Sequence, residues 1–497
     1  MNGPRTPKPK RSTQYRNWVS LSGFVVAISS FFAFVLLFAM DLFAHHGNPY
    51  MGILTYLVAP GFLGFGFFMI LLGAWLHRRE LRKLVPGAPQ VFTIDFSRPR
   101  DRKALVGFLI GAVIFLLVTA LGSYNTYHYT ESVTFCGEAC HTPMKPEFTA
   151  YQNSAHARVA CSECHVGPGA TWYVKSKING VNQLYCTMVG DYHRPIKTPV
   201  KNLRPAQETC EQCHWPQRYI GQLDRTYAHF LSDDTNTLFS VRLLLNVGGG
   251  DPSHGPPGGI HWHMNVANKI EYIAIDEQRQ VIPWVRVTGR DGKVTEFRTK
   301  DFKANPAKHI IRTMDCMDCH NRPAHNFQAP DDAVDLAITL KKIDASLPWV
   351  KSNAVAVLIQ NYSTENEALN KIAAMLRCAY EKNAKPGQLD SLVAAVQTIY
   401  SQNFFPEMKA DWRAYPNNIG HKNWPGCFRC HDGLHKAADG KTKIMASDCN
   451  SCHIILAQGS SAADLQKLSA KGCNFFHLDG EMDDFSCNNC HTGAFVK

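Results

Sequence analysis

The sequence predicts a membrane-anchored protein: three transmembrane helices, then a loop-rich, mainly α extramembrane domain that carries a small antiparallel β module. Three observations lead there. Residues 19–40, 52–76 and 104–124 are apolar and almost free of Asp, Glu, Lys and Arg, and each is long enough as a helix to cross a hydrocarbon core of about 30 Å. The remaining chain is punctuated by cysteine–histidine clusters at irregular intervals, with little apolar periodicity between them. One stretch reads as a β meander: IEYIAID, VIPWVRV and KVTEFR, separated by EQRQ and by Asp291-Gly292.

The first apolar segment exceeds the core of a signal peptide and lacks a small-residue cleavage site after it, so it reads as a retained helix. Basic residues set the orientation. Arg5, Lys8, Lys10, Arg11 and Arg16 precede the first span, and Arg78, Arg79, Arg82, Lys83, Arg98, Arg100, Arg102 and Lys103 fill the second loop, whereas residues 44–50 have none. The positive-inside rule then puts the N-terminus in the cytoplasm and delivers residues 125–497 to the far side of an inner membrane, the periplasm. Gly107 and Gly111 form a GxxxG in the third span and Gly61, Gly64 and Gly66 lighten the second, a pattern that suits close helix packing.

Seventeen cysteines and 22 histidines in 497 residues are too many for ordinary packing. Six copies of C-x-x-C-H account for most of them: Cys161-Cys164-His165, Cys210-Cys213-His214, Cys316-Cys319-His320, Cys427-Cys430-His431, Cys449-Cys452-His453 and Cys487-Cys490-His491. Chance would supply roughly 0.03 copies at these residue frequencies. The motif is the attachment site of c-type haem, two thiols forming thioethers with the porphyrin and the histidine binding iron. Paired zinc knuckles need no histidine after every pair and come in matched twos, and two-residue disulfide loops are poor staples. FCGEACH, with Cys136, Cys140 and His141, is a seventh copy with one extra residue between the thiols. The fold class is therefore a membrane-anchored multihaem cytochrome c with seven covalently bound haems. Its expected divisions are an anchor at 1–124, haems 1–3 at 125–230, the β module at 231–300 and haems 4–7 at 301–497, with helical stretches near 332–344 and 365–380.

Each iron needs a second axial ligand, and the supply of histidine is adequate. Candidates are His156, His229, His309, His325, His421, His435 and His477, together with His261 of the HWH stretch, preferred over His263. His128, His193 and His254 read as ordinary side chains, and His45, His46 and His77 stand at membrane ends without forming an inward-facing pair for a membrane haem.

Longer stretches carry a resemblance. FCGEACHTPMKPEFTAYQNSAHARVACSECHVGPGATWYVKSK and RPIKTPVKNLRPAQETCEQCHWP resemble the NapC/NirT family of membrane-anchored multihaem quinol dehydrogenases, and GIHWHM, MDCMDCHNRPAH, NWPGCFRCHDGLH and CNNCHTG are similar to seven-haem inner-membrane cytochromes of metal-respiring bacteria. The resemblance implies a menaquinol dehydrogenase that draws on the membrane quinol pool and passes electrons to periplasmic c-type cytochromes or a reductase. It also implies a methionine near the first iron, for which Met144 stands one residue late, and a lysine near the quinol, for which Lys177 is first choice and Lys175 second, with Asp191 as a proton acceptor. The family's single anchor helix matches the third span alone. Two alternatives stay open: a terminal reductase of a small nitrogen or sulfur compound, which lacks support from any C-x-x-C-K variant, and a non-catalytic anchor subunit of a larger complex.

The net charge of +11 lies largely in the basic loops that face anionic lipid headgroups, and no motif supports nucleic-acid binding. Cys186, Cys378 and Cys473 remain outside every motif. The mass of the intact haem-bearing chain should correspond to seven attached haems; a mass corresponding to six would remove FCGEACH from the set.

Overall fold

The computed structural model describes residues 17–43, 54–84, 97, 99–166, 170–200, 203–249, 258–264, 268–445, 449–478, 480 and 486–494. The basic residues ahead of the first span, and His45, His46 and His254, lie outside these. The chain divides into two compact units, Met1–Ala139 and Cys140–Lys497. The boundary falls inside FCGEACH.

In the first unit, helix α1 (Trp18–Phe43) packs against α2 (Ala59–Leu84), which is entered through a π-helical turn at Leu54–Val58. Within them, Trp18–Ala39 and Leu54–His77 are long and apolar enough to cross a membrane. Phe24, Phe32, Phe68 and Leu71 are more than half exposed on these helices, which suits lipid contact. Glycine lets the backbones meet. A Cβ on Gly66 would lie 2.6 Å from Ala27 N, and one on Gly23 would lie 2.8 Å from Gly66 O. Ser20 Oγ then donates to Ile70 O at 3.1 Å and Asn17 Nδ2 to Gly73 O at 3.0 Å. Gly61, Gly64 and Gly107 meet nothing within 4 Å, so of the predicted packing glycines Gly66 is used, against a partner in the first span that the pattern did not single out. The third predicted span lies in α3 (Pro99–Thr130), where Ser123 Oγ donates to Tyr56 O at 2.9 Å. Short helix α4 (Val133–Glu138) follows, capped by the Ser132 side chain, and holds Cys136.

The second unit opens with α5 (His141–Gln152), α6 (Cys161–His165) and α7 (Ala170–Val189). The expected meander forms as β3 (Lys269–Ile273), β4 (Trp284–Thr288) and β5 (Val294–Arg298), paired antiparallel. Two short strands extend it, β6 (Arg312–Thr313) beside β3 and β7 (Lys436–Ala437) beside β5, so this sheet binds the approach to the fourth motif and the exit from the fifth. A second sheet was not predicted: β1 (Leu223–Phe230), β2 (Leu238–Leu245) and β8 (His453–Gly459), order β1-β2-β8. β1 and β2 are a local hairpin, but β8 joins β2 from more than 200 residues further along the chain, so no local pattern announces the whole sheet.

The absence of apolar periodicity between motifs predicted that haems would replace a protein core. Residues 330–403 depart from that. Helices α8 (Pro330–Thr339), α9 (Val350–Leu358), α10 (Glu365–Tyr380) and α11 (Pro386–Asn403) carry no attachment motif and bury a conventional apolar cluster. Ala368, Ile372 and Leu376 recur every four residues on α10 and are fully covered. Thr364 caps that helix through its side chain on Glu367 N.

Replacing Gly66 by Leu should separate α1 from α2, at a cost of about 1–3 kcal/mol, the usual range for overpacking. A lowered unfolding midpoint of the detergent-solubilised protein, with haem content unchanged, is the expected result.

Candidate haem centres

Each regular motif sits on a single turn. Cys161–His165 and Cys316–Cys319 are α-helical turns, and Cys210–Gln212, Gly426–Arg429, Cys449–Ser451 and Cys487–Asn489 are 3-10 turns. In four of them the histidine N–H donates back to the first cysteine's carbonyl: His214 to Cys210 O at 2.8 Å, His320 to Cys316 O at 2.8 Å, His431 to Cys427 O at 3.1 Å and His491 to Cys487 O at 2.8 Å. No two cysteines form a disulfide. Of the three cysteines outside the motifs, Cys378 and Cys473 are exposed and Cys186 is half-buried.

The six regular motif histidines each face a second histidine across a gap. Ring centroids are separated by 6.2 Å for His165 and His325, 6.0 Å for His214 and His156, 6.3 Å for His320 and His261, 5.8 Å for His431 and His263, 6.3 Å for His453 and His421, and 6.1 Å for His491 and His477. Two imidazole nitrogens each about 2 Å from one metal put the ring centres about 6 Å apart. The spacing fits an iron between each pair and is too wide for ring stacking.

Tautomer control points the same way. Nδ1 faces a backbone carbonyl oxygen in His156 (Pro323, 3.1 Å), His261 (Val247, 2.7 Å), His263 (Ile260, 2.9 Å), His325 (Glu147, 3.0 Å) and His431 (Met445, 3.2 Å). A proton on Nδ1 leaves the Nε2 lone pair for a metal. Desolvation by the surrounding protein is the largest influence on His165, His261, His263, His320, His325, His421, His453 and His491 and pushes each below the ordinary histidine pKa. Neutral imidazole is the form that binds iron. Two buried donors, Nε of Arg279 and Nε of Arg322, have no hydrogen-bond partner, and each suits a haem propionate.

Comparison with known proteins agrees with this donor set. The model of the NapC/NirT cytochrome c family, N-terminal region, matches residues 98–209. The chain is 40% identical over 488 residues to the cytochrome c-type protein ImcH of Geobacter sulfurreducens, covering 96% of this chain and 95% of that one. The chain belongs to the NapC/NirT cytochrome c family. A more distant relative is the cytochrome c-type protein TorC of Escherichia coli, 27% identical over 136 residues, which cover 24% of this chain and 34% of TorC. No solved structure matches at a significant level. As a NapC/NirT protein it is a membrane-anchored multihaem cytochrome c of electron transport.

Within this NapC/NirT chain, five of the histidines singled out by sequence, His156, His261, His325, His421 and His477, stand opposite a motif histidine. Three others do not. His435 is fully buried, with Nδ1 2.8 Å from Asp432 Oδ1 and Nε2 2.6 Å from Ile282 O, so both nitrogens are occupied. His229 lies 3.4 Å from Asp335 in a cluster with Asp332 whose carboxylates are taken by Lys351 and Lys422. His309 packs against the Phe302 ring at 5.5 Å. His263 takes the remaining place and was missed: alternation on an extended strand would aim both histidines of HWH to one side, but Ile260–Met264 is a 3-10 turn that directs them to different partners.

The first motif differs. His141 opens α5 and Met144 follows three residues later on the same helix, so the two share one face and are alternatives for one side of an iron rather than opposite ligands. Lys175 and Lys177 lie on α7 and Asp191 follows it, where Asp191 N donates to Cys186 O at 2.9 Å. Along α7, Ile178, Val181, Tyr185 and Met188 form an apolar stripe, each more than 60% exposed.

His325 lies five residues after His320 yet faces His165. Replacing it by Met should change the ligation and raise the midpoint of the haem held by Cys161 and Cys164, leaving the haem of the fourth motif unaltered, as read by spectroscopic redox titration.

Proposed function

We propose that this chain is an inner-membrane cytochrome c with seven haems that oxidises menaquinol and hands the electrons to a periplasmic acceptor, a c-type cytochrome or a reductase. Its N-terminus is cytoplasmic, α3 is a third span, and the motif-bearing unit is periplasmic. The observation that carries the reading is the set of six facing histidine pairs, because a succession of six-coordinate irons conducts electrons and offers no open coordination position at those six sites.

In this reading the thioether cysteines are Cys136 and Cys140, Cys161 and Cys164, Cys210 and Cys213, Cys316 and Cys319, Cys427 and Cys430, Cys449 and Cys452, and Cys487 and Cys490. The axial pairs are the six facing pairs. Each iron supplies one-electron redox chemistry when bound. The chain's own contribution is to hold successive sites together. Cys164 has Cys210 and Cys213 near it, and Cys210 lies beside Cys316. Cys319 has Cys427 near it. The His421 ring stacks on Phe428 of the fifth motif at 4.4 Å, and its Nδ1 lies 3.7 Å from Cys487 Sγ of the seventh. These contacts support a conduit that follows sequence order from the second motif to the seventh.

Quinol enters at the other end of this order. Lys177 lies on the exposed apolar stripe of α7, at spacings of four and eight from Val181 and Tyr185, and an ammonium there offers a donor to a quinol oxygen as its proton leaves. Lys175 and Asp191 are the supporting candidates for charge and proton transfer.

A menaquinol analogue should reduce the haems of the purified protein, and Lys177→Ala should slow that reduction by roughly 10²-fold, the usual scale for losing one charge-stabilising donor, without loss of haem. If no haem is reduced by quinol, the dehydrogenase reading fails. Rapid reoxidation by nitrite or hydroxylamine would instead favour a terminal reductase.

A further inference from the structure

We propose that the fourth and fifth haem sites form one rigid pair, tied on both sides by the protein, and that Arg429 is the positioning residue of that pair. The proposal rests on the axial assignment above and goes beyond it.

The distal tie is the HWH turn. His261 and His263 are two residues apart on one 3-10 turn and face His320 and His431 respectively. Two residues of chain span at most about 7 Å, so the two distal ligands cannot drift apart. The turn itself is pinned: Ile260 N donates to Asn246 O at 2.8 Å and His261 N to Gly248 O at 3.0 Å. Gly259, at φ +104, permits this approach, since a Cβ there would lie 2.6 Å from Asn246 O.

The proximal tie joins the middle residues of two attachment motifs. Arg429 belongs to CFRCH. Its Nη2 donates to Asp318 O at 2.7 Å, its Nη1 to Arg279 O at 2.9 Å and its Nε to Gly426 O at 2.8 Å. Asp318 belongs to CMDCH and is 5% exposed. Its carboxylate accepts from Tyr272 Oη, from Arg279 Nη1 at 3.1 Å and from Asp315 N at 2.8 Å, and its carbonyl accepts also from Asn418 Nδ2 at 2.9 Å. A guanidinium presents its donors in a fixed fork, so three bonds to three separate carbonyls define its place and that of the two loops it joins. The middle positions of C-x-x-C-H have no duty toward the haem, and here they lock one motif onto the next.

Two one-electron sites held at fixed close range interact electrostatically: adding an electron to one disfavours adding it to the other. The haems of the fourth and fifth motifs therefore titrate as an interacting pair.

The test uses the full-length, haem-loaded protein in redox titrations followed by visible and electron paramagnetic resonance spectra. In His263→Met one haem acquires a thioether ligand and a raised midpoint, and the midpoint of a second haem with unchanged ligation shifts with it. Arg429→Met keeps all haems attached and low-spin but weakens the interaction between those two signals, which a general packing role would leave untouched. Should Arg429→Met fail to assemble, a glycine inserted between Trp262 and His263 replaces it, with one of the two haems expected to lose its distal ligand. A single shifted midpoint in His263→Met, an Arg429→Met pair that interacts as in the parent, or an insertion that leaves both haems low-spin and interacting overturns the pair. If His263→Met changes the ligation of no haem, it is the axial assignment that has failed.

Discussion

An iron held by two imidazoles demands that two side chains be kept apart at a set distance, and most of the extramembrane structure follows from that demand. Rings about 6 Å apart cannot stabilise each other by contact, so each must be oriented from behind. For His156, His261, His263, His325 and His431 the protein does so with main-chain carbonyls on Nδ1, which orient the ring and choose the tautomer together. Desolvation by the surrounding protein also lowers the pKa of eight of these imidazoles, His165, His325 and His263 among them, which favours their neutral form. Coordination, protonation and backbone path are thus one problem with one solution.

The facing histidines are exchanged between motifs. His156 precedes the second motif and faces the third, His325 follows the fourth and faces the second, and His421 precedes the fifth and faces the sixth. Each exchange stitches two attachment loops together. The haem-free helices supply a frame for these loops. Ala150 of α5 is part of their apolar cluster, Tyr415 Oη donates to Ile196 O at 2.9 Å, and Trp412 Nε1 donates to Thr492 O at 3.0 Å beside the last motif. Glu147 and Arg322, an ion pair of two largely buried side chains at 3.0 Å, join α5 to the loop that carries His325. An ion pair of this kind contributes little net stability, but it specifies which loop meets which helix.

What was legible depended on whether the signal was local. The attachment motifs, the apolar spans and the β3-β4-β5 meander are read from a few consecutive residues, because thioether spacing, bilayer thickness and hairpin turns are short-range constraints. The sheet of β1, β2 and β8 was not read: the β1–β2 hairpin was overlooked, and β8 reaches β2 from more than 200 residues away, which no local pattern marks. The helical core was read in part: α10 was recognised from its spacing, but α9 and α11 were not, although Val350, Leu358 and Val396 are fully buried. Histidines near a motif in sequence proved a poor guide to pairing. His435 follows His431 closely and is hydrogen-bonded into the core, whereas His263, passed over in favour of His261, faces His431 from the same turn.

Sequence alone determined the membrane anchor, the c-type attachment chemistry and the family, because covalent motifs and apolar length are written in contiguous residues. The tertiary structure decided which histidine faces which and that two motifs are bolted together through Arg429 and Asp318. Those outcomes depend on where carbonyls and ring nitrogens meet in space. The His165–His325 and His263–His431 pairs and the Arg429–Asp318 bond join residues more than 100 positions apart, and no spacing rule along the chain encodes such a meeting.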